Sequence, residues 1–345
     1  MERLKQAYNR LRSFLLYHAL LFVNYIILLA WLTKLEVDFK TLFYLFISYL
    51  LTGVSAYLIN DFFDKEIDSK AGKSNITTSL SSKLIFVLVL VGFSLSFLFI
   101  YNISELASFF LCIQFIALLV YSHPITRLKT KPIFGILLDS FYAYLIPVLL
   151  LYSVFDVEIV SWKFFCFLLF NFTVGLRDII LHQKEDYFND LDSGTDSFVT
   201  RYKKKAILVI HVLEVVSGVS VACFFILCSD NVDYEYSVVA ALVICSYFIL
   251  LQLINIQKAV KNNLLMQFYI VVSSIVLGCW IWEDGNYWML LFLIHPYLLQ
   301  FLTFLIQLLN QIKIVLSVIV NYSLYYCFKI FGRDLRRRPL FKKND

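Results

Sequence analysis

Strand-length alternation of apolar and polar residues is absent from this 345-residue chain. That sets aside a transmembrane barrel, whose strands alternate with a period of two. Charge is scarce: Asp, Glu, Lys and Arg make up 16%, against 60% hydrophobic and 18% aromatic residues, and the mean hydropathy is +0.76. No ordinary soluble domain has that balance, and a helical bundle is the remaining way to satisfy a backbone in lipid. Seven cysteines (Cys112, Cys166, Cys223, Cys228, Cys245, Cys279 and Cys327) lie in apolar runs without CxxC spacing or companion histidines. They read as small buried apolar residues, not as zinc ligands or disulfide partners. No cleavable signal is legible, because residues 1–12 are polar and basic and the first apolar stretch is long enough to be a membrane helix itself. No internal repeat or low-complexity run is evident.

What is present is a series of long apolar runs. They predict helices at about 13–32, 41–63, 83–101, 105–121, 133–155, 160–181, 206–228, 237–256 and 264–282. One further crossing is expected within 287–310, kinked near Pro296, and an interfacial helix at 312–331. The expected fold is therefore all-α, a polytopic bundle of about nine transmembrane helices (1–285) plus a membrane-associated extension with a basic tail (286–345). The formal charge of +5 is concentrated at the ends of apolar runs and in the tail, which suits membrane topology and not nucleic-acid binding. Arg3, Lys5, Arg10 and Arg12 precede the first helix and place the N-terminus in the cytoplasm. A bacterial inner membrane is the expected location, and nothing in the sequence points to a protein partner.

The stretch Asn60-Asp61-Phe-Phe-Asp64-Lys-Glu-Ile-Asp68 closes the second run. If the helix continues through it, Asn60, Asp64 and Asp68 fall at i, i+4 and i+8 on one face, where they would converge on one ligand. Mutually repelling carboxylates at a membrane rim call for a counter-charge, and a hard divalent cation such as Mg²⁺ supplies one. A second acidic cluster follows the sixth run: Asp178, His182, then Asp186 and Asp190 spaced by four, with Gly194 and Ser197 behind. Alternating topology puts both clusters on the cytoplasmic face. Two carboxylate groups facing each other beside basic loops suit a Mg²⁺-bridged diphosphate. An aromatic cavity between the helices could admit a polyisoprenoid tail from the bilayer and stabilise an allylic cation.

Asn60-Asp61-x-x-Asp64-x-x-x-Asp68 resembles the first aspartate-rich motif of the UbiA superfamily of intramembrane prenyltransferases. His182-x-x-x-Asp186-x-x-x-Asp190 with Gly194 and Ser197 is similar to the second. Tyr121-Ser122-x-Pro124-x-x-Arg127-Leu-Lys129, with Gly135 after it, resembles the family's basic loop between helices four and five. The resemblance implies nine helices, a Mg²⁺-dependent cytoplasmic site, and prenyl transfer from a prenyl diphosphate to an acceptor. It implies that Asn60, Asp64 and Asp68 hold one metal and Asp186 and Asp190 the other, the four aspartates being catalytic. Lys73, Arg127 and Lys129 would contact the diphosphate in a pocket lined by Tyr121 and Ser122. Asp61, Asp139, Asp178 and His182 are candidates for supporting or acceptor-side roles. His182 stands where family members often have tyrosine, and the arginine-proline pair common after the first motif is missing at 73–76.

The sequence leaves the acceptor unnamed. A cyclase of the same superfamily, which ionises the prenyl diphosphate and closes a ring without an acceptor, is the alternative. A cation-coupled transporter would want its acids near the bilayer midplane, whereas these sit at helix ends. His211 and Glu214 read as a mutually satisfied pair, Asp139 as an acceptor or Arg127 partner or a packing residue, and Asn75-Ile-Thr77 as a glycosylation sequon by pattern only.

Overall fold

The computed structural model describes residues 18, 20–33, 37–70, 75–157, 161–192 and 194–228. The expected helices at 237–256 and 264–282, the crossing in 287–310, the interfacial helix at 312–331 and Lys73 lie outside the described residues. Among the described residues all regular structure is helical and there is no strand. In chain order these are α1 (Leu20–Thr33), α2 (Phe39–Lys70), α3 (Ser82–Tyr101), α4 (Glu105–Ser122), α5 (Pro132–Val154), α6 (Trp162–Glu185), α7 (Tyr187–Asp192), α8 (Phe198–Tyr202) and α9 (Lys204–Leu227). Six of them, α2 to α6 and α9, are long and apolar enough to cross a membrane.

Helix starts follow local chemistry. Ser81 and Ser104 cap α3 and α4 by accepting the backbone N–H of Leu84 and Ala107, each at 3.2 Å. The outer face of α3 is apolar and exposed (Phe86, Val87, Leu90, Val91), the surface a bilayer-embedded helix presents to acyl chains. Its inner face carries small residues that let backbones approach. Ser48 of α2 and Ser96 of α3 exchange hydroxyl-to-carbonyl hydrogen bonds at 3.2 and 2.9 Å, and Thr52 donates to the Ser96 hydroxyl. Across the bundle the Tyr25 hydroxyl of α1 donates to buried Asn171 of α6.

The second expected helix stops too early at 63, since α2 runs seven residues further, to Lys70. Residues 60–70 contain no glycine or proline, so nothing in the backbone ends the helix there. At 1.5 Å per residue its 32 residues reach about 48 Å. A hydrocarbon core is about 30 Å thick. The acidic end of α2 can therefore clear the apolar layer while its middle stays within it.

α5 is interrupted by a π turn, Phe141–Leu145, in which the Ile146 N–H reaches back to the Phe141 carbonyl. The kink expected at Pro147 takes this form. In that register the next donor would come from residue 147 to the Tyr142 carbonyl, and proline has no N–H. Gln114 of α4 supplies it instead, donating through Nε2 to the Tyr142 carbonyl at 2.9 Å. Gln114→Leu strands that carbonyl, at a cost of about 1–3 kcal/mol. Thermal unfolding in detergent should drop accordingly, and an unchanged midpoint would mean another donor serves Tyr142. On the other side of the bulge, Gly175 lets α6 come close: a Cβ there would meet Ser140 Oγ at 2.5 Å and the Tyr144 ring at 2.7 Å.

Candidate active site

Four acids (Asp61, Asp64, Glu66, Asp68) crowd the last turns of α2, where the helix dipole is negative and carboxylates are unfavourable. The loop after α4 brings the compensating charge. Arg127 Nη2 lies 3.0 Å from Asp64 Oδ1, and Lys129 Nζ lies 2.5 Å from Asp64 Oδ2 and 3.0 Å from Asn60 Oδ1. Ser122 Oγ donates to the same Asn60 oxygen at 3.4 Å. Asn60, Asp64, Ser122, Arg127 and Lys129, each singled out from the sequence, thus form one network.

Two backbone features hold the basic loop in place. Arg127 adopts a left-handed conformation (φ 35°), an uncommon state for a residue with a Cβ and a recurrent one at functional sites. Gly135 has no side chain to collide with the 3₁₀ turn Leu128–Thr130, whose Leu128 and Lys129 carbonyls lie 3.0 Å from where a Cβ would be. Burial pushes the Lys129 ammonium below its ordinary pKa, and the neighbouring Asp64 carboxylate opposes that shift.

Asp68 is positioned by a residue that the sequence offered only as a sequon. Asn75 is buried, and its Nδ2 donates to Asp68 Oδ2 and to the Asp61 carbonyl, each at 2.7 Å. Its Oδ1 accepts from the Thr77 N–H at 2.9 Å and from the Thr77 hydroxyl at 2.7 Å. The Thr77 hydroxyl also meets the Asp61 carbonyl, so the 75–77 turn is bolted onto the acidic face of α2. Asp61 contributes to this face through its backbone oxygen. Asn75→Ala removes both amide hydrogen bonds to that face and leaves the Asp61 carbonyl with the Thr77 hydroxyl, at a cost of about 1 kcal/mol per bond. Thermal unfolding in detergent checks it, with a lowered midpoint as the expected result.

The second motif sits where α6 gives way to α7. Asp186 ends α6, its N–H bonded to the His182 carbonyl at 3.0 Å, and the Asp190 N–H bonds the Asp186 carbonyl at 2.9 Å. His182 Nε2 stands 3.9 Å from Asp186 Oδ2, an ion-pair separation longer than a hydrogen bond. Asn189 approaches Asp186 Oδ1 at 3.4 Å. Gly194 takes a positive φ of 69° in the turn that follows, and Ser197 caps α8. A buried cluster of Ile136, Ile180, Leu181, Phe198, Val199 and Ala206 anchors this turn to α5, α6 and α9. Among the described residues, no three His, Cys, Asp or Glu side chains come together closely enough to hold a metal ion.

Inside the mouth lies a cavity of about 530 Å³ reaching from Asn60, Ser122 and His182 into the bundle. Its aromatic wall is mainly tyrosine (Tyr49, Tyr57, Tyr121, Tyr142, Tyr144), with Phe115 beside them, where the sequence suggested phenylalanine and tyrosine together. Asp139 and Asp178 face it. Asp139 accepts from the Tyr142 hydroxyl at 2.7 Å, and the Tyr121 ring packs edge to face on that of Tyr142. Arg127, the other partner considered for Asp139, goes to Asp64. Asp178 is gripped by Arg177 through Nε at 3.0 Å and Nη2 at 2.7 Å, and accepts from the Tyr144 hydroxyl at 2.8 Å. Arg177, fully buried, went unremarked in the sequence, although an arginine inside an apolar run is itself a signal. His211 and Glu214 meet at 3.3 Å as expected, His211 half-exposed and Glu214 buried. The four described cysteines (Cys112, Cys166, Cys223 and Cys228) are free thiols.

A helical bundle of membrane-crossing length, with a charged mouth opening on a tyrosine-walled cavity, defines an integral membrane protein with an internal ligand site. The chain belongs to the UbiA prenyltransferase family, whose model matches residues 19–275. A UbiA homologue from Archaeoglobus fulgidus, solved with GPP and Mg²⁺, is similar in fold: TM-score 0.58, 14% identity, 77% of this chain and 97% of that one covered. A digeranylgeranylglyceryl phosphate synthase aligns with a TM-score of 0.57 at 18% identity, over 81% of this chain and 98% of its own. A UbiA homologue from Aeropyrum pernix K1 in its apo form gives 0.56 at 14% identity, over 78% and 98%. No curated protein sequence matches the chain.

Proposed function

We propose that the protein is a Mg²⁺-dependent intramembrane prenyltransferase that ionises a polyisoprenyl diphosphate and passes the prenyl group to an acceptor. The observation that carries this reading is the pairing of Asp64 with Arg127 and Lys129 at the mouth of the cavity. Cations with carboxylate partners beside a partly open, aromatic-walled space suit a ligand with an anionic head and an apolar body. Structural relatives solved with GPP or DMAPP and Mg²⁺ support it.

The donor set fits the metal. By donor chemistry, Asn60, Asp64 and Asp68 of the first motif and Asp186 and Asp190 of the second offer the hard oxygens that Mg²⁺ takes, and phosphate oxygens would complete the shell. Bound there, Mg²⁺ would neutralise charge developing on the departing diphosphate. Arg127 and Lys129 turn from Asp64 to the phosphate oxygens, and Lys73 is a further candidate for that contact. Tyr121 and Ser122 line the approach, and Asn75 keeps Asp68 aimed. The tyrosine faces of the cavity stabilise the allylic cation and exclude water. The same reading keeps nine crossings, an extension at 286–345, and the site on the cytoplasmic side of a bacterial inner membrane, supported by the basic residues next to both acidic motifs.

Purified protein given Mg²⁺ and prenyl diphosphates of graded length, with and without candidate acceptors, tests the proposal. Diphosphate release matched by an acceptor adduct is the expected result. A cyclic hydrocarbon or alcohol formed without any acceptor would replace transfer by cyclisation.

A further inference from the structure

The cavity treats Asp139 and Asp178 differently. Asp178 has its charge met by the Arg177 guanidinium on one oxygen and the Tyr144 hydroxyl on the other. Asp139 is met by the Tyr142 hydroxyl at 2.7 Å, and the Tyr142 ring is braced edge to face by that of Tyr121 at 5.3 Å. It stands at the last turn of α5 before the π turn, which swings Tyr142 and Tyr144 onto the cavity wall. Glu185 adds a third acid towards the mouth, and no Lys or Arg lines the cavity among the described residues. The cations are gathered at the entrance, on Asp64 and Asn60. His18 and His182 also line the cavity, among tyrosine hydroxyls. The permanent cations thus sit at the entrance, and the acids with their neutral hydrogen-bonding partners sit within.

We infer that the acceptor is an electrically neutral hydroxyl compound and that Asp139 receives its hydrogen. This rests on the transferase reading above. A carboxylate or phosphate placed beside Asp139 would face its charge across a poorly screening medium, whereas an O–H finds a carboxylate ready to accept it. In the transfer step the bond between the prenyl C1 and the diphosphate oxygen breaks, and its electron pair leaves with the diphosphate. A lone pair on the acceptor oxygen forms the new C–O bond. The O–H electrons stay on that oxygen, and the proton passes to the Asp139 carboxylate, from which it is lost to water when the ether product departs. Tyr142 holds one carboxylate oxygen, Oδ1, and Tyr121 steadies the Tyr142 ring.

Three acceptors on one hydrocarbon skeleton test this: the alcohol, its methyl ether and the corresponding carboxylic acid, each offered to the full-length protein in detergent or nanodiscs with Mg²⁺ and a prenyl diphosphate. The alcohol should be prenylated. The ether should give no adduct, and the acid should react at least about a hundredfold more slowly, since a site built around a hydroxyl strongly rejects analogues that lack it. Asp139→Asn should shrink the preference for alcohol over acid, and Asp139→Glu should restore part of it. A purely structural role would lower both rates and leave the ratio alone. If the acid is prenylated as readily as the alcohol by the unaltered protein, transfer stands and the assignment of Asp139 is overturned. If the donor is consumed without any adduct, the transferase reading and this inference fall together.

Discussion

Asp64→Asn should reduce Mg²⁺-dependent diphosphate release by about 10²–10³-fold, the scale of removing one preorganised charged or hydrogen-bonding group from a site where charge develops. The side chain keeps its size, and its amide oxygen can still accept from Lys129 or Arg127, so the fold should survive. Asparagine is a much weaker ligand for a hard divalent cation than an ionised carboxylate. Arg127→Ala separates the two roles at this corner, because it leaves the carboxylate intact and removes a donor to phosphate. It should raise the KM for the prenyl diphosphate more than it lowers kcat. Turnover of Asp64→Asn close to that of the unaltered protein would remove this acid from the chemistry.

The largest effect on stability is expected at Arg177. Its side chain is fully buried and holds the Asp178 carboxylate with two hydrogen bonds. Arg177→Met leaves that carboxylate inside the bundle with the Tyr144 hydroxyl as its described donor, and breaking a buried pair from one side costs about 3–5 kcal/mol. A double variant, Arg177→Met with Asp178→Asn, removes the stranded charge and should recover most of the loss, since replacing both members of a buried pair is often nearly neutral. The thermal midpoint in detergent measures both. A double variant as unstable as the single one would show that Arg177 acts through other contacts.

The helical architecture was legible because apolar runs of membrane length leave a helix as the way to satisfy the backbone. The expected spans match α2 to α6 and α9 to within a few residues, apart from the overrun of α2 at Lys70, where acids usually read as loop proved to be helix without a breaker. The mouth was legible too: the i, i+4, i+8 spacing and the proline-bounded basic loop bring Asn60, Asp64, Arg127 and Lys129 together. What escaped was tertiary. Asn75 is one polar residue in a turn, and only the fold reveals that it ties Asp68 to the Asp61 carbonyl. Gln114 reads as an ordinary polar residue in an apolar helix, and its value depends on a proline 33 positions later that withholds a donor. Asp139 and Asp178 look alike in sequence, and only their partners tell a neutralised acid from an available one.

The double grip of Arg127 and Lys129 on Asp64 has a consequence for how the site fills. A carboxylate already claimed by two cations is a poor trap for a lone metal ion, and two bases already claimed by a carboxylate are a poor trap for a lone diphosphate. When both arrive together, each releases the partner that the other needs. Metal and donor should accordingly tighten each other's binding by the same factor, as linkage requires. With Asp64 on the metal and the two bases on the diphosphate, as proposed, the entrance would work as an interlock, idle towards stray magnesium or stray phosphate lipids and released only by the matched pair.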